Sequence, residues 1–519
     1  MKCILLCATM CVLGAVTARA QEHLQSQAVI MSEPLQMEPD STDYEMIVEM
    51  GDDYKAGKNY EEAVKCYRLA AENGNATGQC NLAHMYRRGD GVEQDYQEAA
   101  KWYRRAAEQG DADGQNNLGV MYENGKGVEQ DYQEAVSWFR KAAEQGEAKA
   151  QFNLGFMYKY GRGLEQDYQE AARWYRKAAE QGDADGQNNL GVMYKDGCGV
   201  EQDYHEALNW YLKAAEQGHV VGQYNMGIMY AYGHGVEQDY QEAARWYRMA
   251  AERGHANAQS DLGDMYYCGN GVEQDYQEAF KWHSKAAEQG KAKSQSCLGF
   301  MYENGYGVEQ DYQEAFEWYL EAAEQDDVEG QYNLSVLFRE GNGVTQDFQK
   351  AFEWCLKAAE QGYANAQSDI GAMYYFGSGV EQDYHETIKW YSKAAEQGYA
   401  IGQCNLALMY REGYGVEQDY QEAARWYRMA AEQGHVVGQW NLGTMFENGR
   451  GVEQDYEKAV KWYRMAAEQG YSWGQFNLGL MYENGRGVEQ DYEEALNWYR
   501  KAAYGGCEAA KEKLSELEQ

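Results

Sequence analysis

Apolar and polar residues alternate along this chain in short blocks, each with the three-to-four spacing of an amphipathic helix. Residues 111–146 show the pattern well. Leu118, Gly119 and Tyr122 follow Gln115 on one narrow stripe, and Ala135, Trp138, Phe139 and Ala142 form a wider one at i, i+3, i+4 and i+7. Between the stripes, Gly125 and Gly127 end one helix and turn the chain. Asp131 stands at the N-cap of the next helix, with Glu134 placed to complete a reciprocal capping box. Gly146 closes the unit. Gly119 costs about 1 kcal/mol relative to Ala inside a helix. Its presence predicts that the partner helix approaches closely there.

This hairpin is one of many. Gly-Val-Glu-Gln-Asp-Tyr begins at Gly91 and returns, intact or nearly so, every 36 residues to Gly487, twelve copies in all. A fixed period of this size predicts a solenoid. A single hairpin has too few large side chains to offset the ordering of its backbone, so neighbouring units must stack. Composition agrees: both prolines, Pro34 and Pro39, precede Asp43, as a helical array requires.

The first residues differ from the rest. Met1-Lys2, the apolar run from Cys3 to Val16, and Ala18-Arg19-Ala20 predict a signal peptide over residues 1–20, cleaved between Ala20 and Gln21. That predicts an exported protein, periplasmic or secreted, with no membrane insertion after cleavage. Residues 21–42 read as a flexible polar leader.

The motif Ala-x-Gly-Gln-x-Asn-Leu-Gly-x-Met-Tyr, followed by Gly-x-Gly-Val-Glu-Gln-Asp-Tyr-x-Glu-Ala-x-x-Trp-Tyr-x-Lys-Ala-Ala-Glu-Gln-Gly, resembles the Sel-one-like repeat (SLR) family, relatives of tetratricopeptide repeats. The resemblance implies an all-α, right-handed superhelical α/α solenoid of about thirteen helix-turn-helix repeats. Residues 43–74 form a degenerate, tetratricopeptide-like first repeat, with a shorter turn over Ala56–Asn59. Residues 75–506 carry twelve regular repeats, and 507–519 a capping helix. It also implies an adaptor for protein complexes that is not an enzyme. Some cysteine-rich relatives act on β-lactams, which makes a β-lactam or cell-wall-directed enzyme one alternative. A secreted factor that binds a host glycoprotein or immunoglobulin is another.

Comparing the repeats with one another separates frame from reading surface. Twelve of the fourteen Trp fill one slot, from Trp102 to Trp498, and read as core; Trp440 and Trp473 stand outside it. In the related superhelices, first helices line the concave groove. That mapping assigns Phe152, Phe156, Tyr160, Tyr224, Tyr232, Tyr332, Tyr375, Trp440, Trp473 and Phe476 to a protein- or peptide-binding groove. Arg87, Arg88, Lys149, Lys159, Lys195, Arg339 and Arg411 are interleaved with them, and aromatic and Arg anchors are common interface chemistry. Residues 327–398 are the least regular: Asp326, Ser335, Lys350 and Thr387 depart from the repeat.

Charge changes the picture little. The net charge of −38 comes mostly from acidic residues repeated at second-helix starts. It argues against a nucleic-acid partner and suits a soluble, monomeric rod. The acidic spacing matches no calcium-binding loop. No metal-binding, phosphate-binding or nucleophile motif is present, and the nine His fall in unrelated slots. No cofactor is expected. Cys66 and Cys80 lie symmetrically about the turn near Asn73, where antiparallel helices could join them in a disulfide.

Overall fold

The structure, a computed structural model, describes residues 41–517. The expected signal peptide, its Ala20–Gln21 junction and residues 21–40 of the leader lie outside them. The first helix, Ser41–Ala56, begins inside the segment read as leader. The described residues form 27 helices and no strand. They fall into two units, one ending at Gln217 and the other starting at Gly218. Within each unit the helices pack in chain order. Tyr132–Glu144, for example, lies against both Ala112–Asn124 and Ala148–Tyr160. The chain is thus an all-α array of hairpins with a 36-residue period.

After the first, short-turned hairpin, the hairpins close by a recurring set of bonds. Gly125 takes the left-handed conformation at φ 65° and caps the first helix. A side chain at Gly127 would collide with the Tyr96 carbonyl oxygen of the preceding repeat. Gln130 then donates to the Glu123 carbonyl at 2.7 Å. The Asp131 carboxylate accepts from the amides of Gln133 and Glu134 at 2.9 and 3.0 Å, as an N-cap should. The reciprocal half of the capping box is not formed. The Asp131 amide donates to the Tyr122 carbonyl at 3.0 Å, so it has no need of Glu134. In other repeats this Glu pairs three residues on instead, as Glu98 does with Lys101. Of the Glu-Gln-Asp segment, then, Gln and Asp bind the turn while Glu129 faces solvent.

The predicted close approach at Gly119 is present: a Cβ there would lie 2.6 Å from the Phe139 ring. The Trp slot is core or close to it. Trp102, Trp138, Trp246, Trp282 and Trp390 are buried. The others are half-buried, and a lysine three residues on often covers the indole, as Lys177 covers Trp174 at 3.9 Å.

A buried glutamine ladder joins the repeats. Gln115 donates to the Ala107 carbonyl at 3.1 Å and accepts from Gln145 of the same repeat at 2.8 Å. The pairs Gln79–Gln109 and Gln439–Gln469 do the same at 2.7 Å. Because Ala107 belongs to the preceding repeat's second helix, each rung ties three consecutive helices together with a buried, satisfied amide. The C-terminal helix Glu508–Leu517 packs on Tyr492–Tyr504, with Cys507 and Ala510 buried at the joint.

Candidate functional site on the first helices

The variable residues of the first helices occupy a few recurring slots, and the fold treats those slots differently. The first holds Phe152, Tyr224, Tyr332, Trp440 and Phe476, all half-buried. Their rings pack on the frame: Phe152 on Tyr175 and Phe476 on Tyr499, both at 5.7 Å. The polar tips of the tyrosines and of Trp440 reach the next repeat. Tyr224 donates to Asp261 and Tyr332 to Asp369, each at 3.2 Å, and the Trp440 indole N–H donates to Asn477 at 3.3 Å. These side chains are pegs between repeats, with one edge left to solvent.

A second slot, at the C-terminal end of the helix, is open. Tyr160 is 52% exposed, Tyr232 69% and Phe376 72%, where other repeats carry Asn124, Asp196, Glu340 or Asn448. At the opposite end, Val221 and Ile401 are exposed, and Trp473 is 44% exposed. Phe156 is half-buried beside Tyr160, with ring centroids 4.6 Å apart and the Arg162 guanidinium over its face. Tyr375 packs edge-on to Phe376 and at a tilt to Tyr384 and Tyr414.

A third slot sets the electrostatics. Glu303, Glu447 and Glu483 each accept a hydrogen bond from a second-helix tyrosine: Tyr319 at 2.8 Å, Tyr463 at 2.6 Å and Tyr499 at 2.5 Å. Burial pushes the Glu303 carboxyl up from its ordinary range. Burial, then the adjacent carboxylate, pushes the Tyr463 phenol up as well. Where the slot holds Lys159 or Lys195, the buried hydroxyls of Tyr175 and Tyr211 have no acceptor. Arg339 in this slot pairs with Asp369 at 2.7 Å, and Arg411 donates to Asn441 at 2.7 Å. Part of the interleaved basic set is therefore already engaged within the array.

The Cys66–Cys80 disulfide is not formed; both are free thiols. Cys66 is half-exposed among Glu62 and Lys65 of its own helix. Cys80 is buried and turned toward Asp111 of the following repeat. Being close along a hairpin did not make the two side chains face one another. Along the sequence the histidines fall in unrelated slots, yet the fold brings His283 against Asp264 and Cys297.

On the loop side, shallow clefts recur from repeat to repeat. One of about 860 Å³ is lined by Arg248, Tyr266, Gln274, Asp275 and Trp282, and another of about 650 Å³ by Arg428, Phe446, Gln454, Asp455 and Trp462. They are built from frame residues. No helix among the described residues is long and apolar enough to cross a membrane.

Comparison with known proteins places this architecture. The Sel1 repeat profile matches thirteen times, at 47–75, then in consecutive stretches from 76–111 to 436–471, and at 474–507. The short-turned N-terminal unit is thus itself a Sel1 repeat. The crystal structure of c5321, a protective antigen present in uropathogenic Escherichia coli strains displaying an SLR fold, is 39% identical. Its TM-score is 0.75, over 88% of this chain and 97% of that one. A Sel1 repeat protein from Oxalobacter formigenes is 33% identical over 60% of this chain and 90% of its own, with a TM-score of 0.47. Helicobacter pylori cysteine rich protein B is 27% identical over 26% of this chain and 96% of its own, with a TM-score of 0.22. No curated protein matches. Thirteen profile matches, covering nearly all of the described helices, show that the chain belongs to the Sel1 repeat (SLR) family of tetratricopeptide-like proteins.

Proposed function

We propose that this protein is an exported scaffold that binds a protein or peptide along its first-helix face. Sel1 repeats are protein-interaction scaffolds and in general not enzymes, and that much belongs to the family. The finer reading rests on one observation. Tyr160, Tyr232, Phe376 and Trp473 are exposed aromatics on first helices, at slots the frame does not need. Large exposed aromatics without a packing duty mark interaction surfaces. Within the second unit, consecutive first helices also touch directly, as Ala292–Asn304 touches Val328–Glu340, so neighbouring repeats there can present one continuous face. Export is supported by the Met1–Ala20 leader and by the description of the 39% identical Escherichia coli structure as a protective antigen.

The test replaces Tyr160, Tyr232, Phe376 and Trp473 by Ser together. These residues are exposed, so helicity and melting should stay near wild type. Photocrosslinking from residue 304, an exposed Asn in the same slot as Tyr232 and Phe376, should trap a partner from the cell envelope in the parent chain and lose it in the fourfold variant. Undiminished trapping would remove the face assignment. A partner found only in host fluid would instead favour the host-factor reading.

A further inference from the structure

Four departures from the repeat converge on one point. His283 fills the slot held by Tyr247 and Tyr319 in the flanking repeats. Asp264 replaces Ile228 or Phe300, Cys297 replaces Asp261 or Asn333, and Ser294 replaces Ala258 or Gly330. They come from three helices, Ala256–Cys268, Tyr276–Ala287 and Ala292–Asn304. A ligand atom from each of Asp264, His283 and Cys297 lies within 4.8 Å of the other two. His283 is 1% exposed. Its Nε2 lies 3.5 Å from Asp264 Oδ1, and its Nδ1 lies 3.4 Å from Ser294 Oγ. Gly263 leaves the room for the ring, since a Cβ there would sit 2.8 Å from it.

We propose that Asp264, His283 and Cys297 form a binding site for a divalent transition metal of the zinc class. Imidazole nitrogen, thiolate sulfur and carboxylate oxygen together suit zinc, and they suit calcium or magnesium poorly. The outer contacts fit as well. With Nδ1–H donated to Ser294, Nε2 keeps its lone pair on the Asp264 side, the arrangement that orients a metal-bound histidine. Lys293 Nζ sits 2.5 Å from Asp264 Oδ2, so it engages one carboxylate oxygen and leaves Oδ1 toward His283. On binding, the Cys297 thiol gives its proton to solvent and the sulfur becomes the third protein ligand. A fourth position remains for water or for a donor from a bound partner. A tyrosine slot that had merely drifted to His would need one polar neighbour, and Ser294 supplies that. Lys293 then accounts for Asp264 Oδ2, while Oδ1 facing His283 and the Cys297 thiol beside them are left over, and the metal accounts for both.

The repeats themselves supply the test. In the full chain, His283→Tyr and Cys297→Asn restore residues that neighbouring repeats carry, so the hairpins should keep their packing. Metal-free protein is titrated with Co²⁺ as a spectroscopic stand-in for zinc. The expected result is one tight equivalent per chain with a sulfur-to-cobalt charge-transfer band, displaced by Zn²⁺. The band disappears in Cys297→Asn and in His283→Tyr, and Ser294→Ala weakens affinity roughly 10-fold. The acidic surface also attracts cations, but without sulfur ligation. Cobalt uptake with no sulfur band, or uptake equal in the parent and Cys297→Asn chains, would overturn the assignment.

Discussion

Repeats 112–147 and 328–363 solve one packing problem in two ways. In the first, Gly119 gives up its side chain and the Phe139 ring fills the space, 2.6 Å from where a Cβ would stand. In the second, Ser335 keeps a side chain and faces the small Cys355; both are buried. Ser335 Oγ bonds back to the Tyr332 carbonyl at 2.6 Å, and Cys355 Sγ reaches the Ala366 carbonyl at 3.5 Å. The crossing keeps its combined volume while both residues change. The other irregularities nearby are compensated too. Asp326 holds the left-handed turn at φ 63° where other repeats use Gly, and its carbonyl accepts from Gln361 at 3.1 Å. Thr387 is buried with its hydroxyl on the Asp383 carbonyl at 2.8 Å. At the Ser335–Cys355 crossing, then, the departure of one residue is matched by a change in the residue it faces.

The largest expected effect breaks that pairing. Cys355→Tyr with Ser335 retained forces a ring against a hydroxymethyl group and should cost about 3 kcal/mol. Adding Ser335→Gly should recover most of it, because the pair then matches Gly119 and Phe139. A double-mutant cycle from urea unfolding reads the coupling, and simple additivity would refute the volume argument. A smaller effect tests what the two repeats share. Gln115→Ala and Gln331→Ala each strip a buried rung, on Ala107 and Ala323 carbonyls respectively, and should cost about 2 kcal/mol apiece. A clearly lower cost at Gln331 would mean that the irregular repeat is also weakly joined. The smallest effect is a gain. Lys159→Glu gives the orphaned Tyr175 hydroxyl the acceptor that Glu447 gives Tyr463, and should raise stability by about 1 kcal/mol. An unchanged or lowered unfolding midpoint would discount the tyrosine–carboxylate rule.

Much of the frame was legible in the sequence. The period, the paired helices, the Asp131 cap and the tight contact at Gly119 all follow from local spacing. The reciprocal capping bond does not form, because the Asp131 amide finds the Tyr122 carbonyl across the hairpin, which spacing within one helix cannot reveal. The glutamine ladder was missed for a similar reason: Gln115 and Gln145 are thirty residues apart, and a place on the packing stripe does not reveal what the Gln115 amide bonds to. Their recurrence at fixed slots was the available signal. On the first helices, the sequence marked which slots vary but not their depth. Phe152 and Trp440 sit between repeats, while Tyr232 and Phe376 project, a difference set by where each slot falls relative to the next helix. The Asp264–His283–Cys297 group was hidden because its members lie on three helices and share no short motif.

The ladder has a direction, and that bears on how such a chain can change length. Within each unit most rungs reach back to the preceding second helix and are joined by a Gln donor thirty residues ahead, so most repeats meet their neighbours through like fittings; ahead of Gln223 the donor slot holds Arg253 instead. At the C-terminal end Gly505 occupies the donor slot, and the buried Gln475 Oε1 is left without a partner. Loss or duplication of a whole 36-residue segment within either unit re-creates the same junction at the splice. A frame built this way accepts unequal recombination between its own copies as a change of reach, with no new interface to invent.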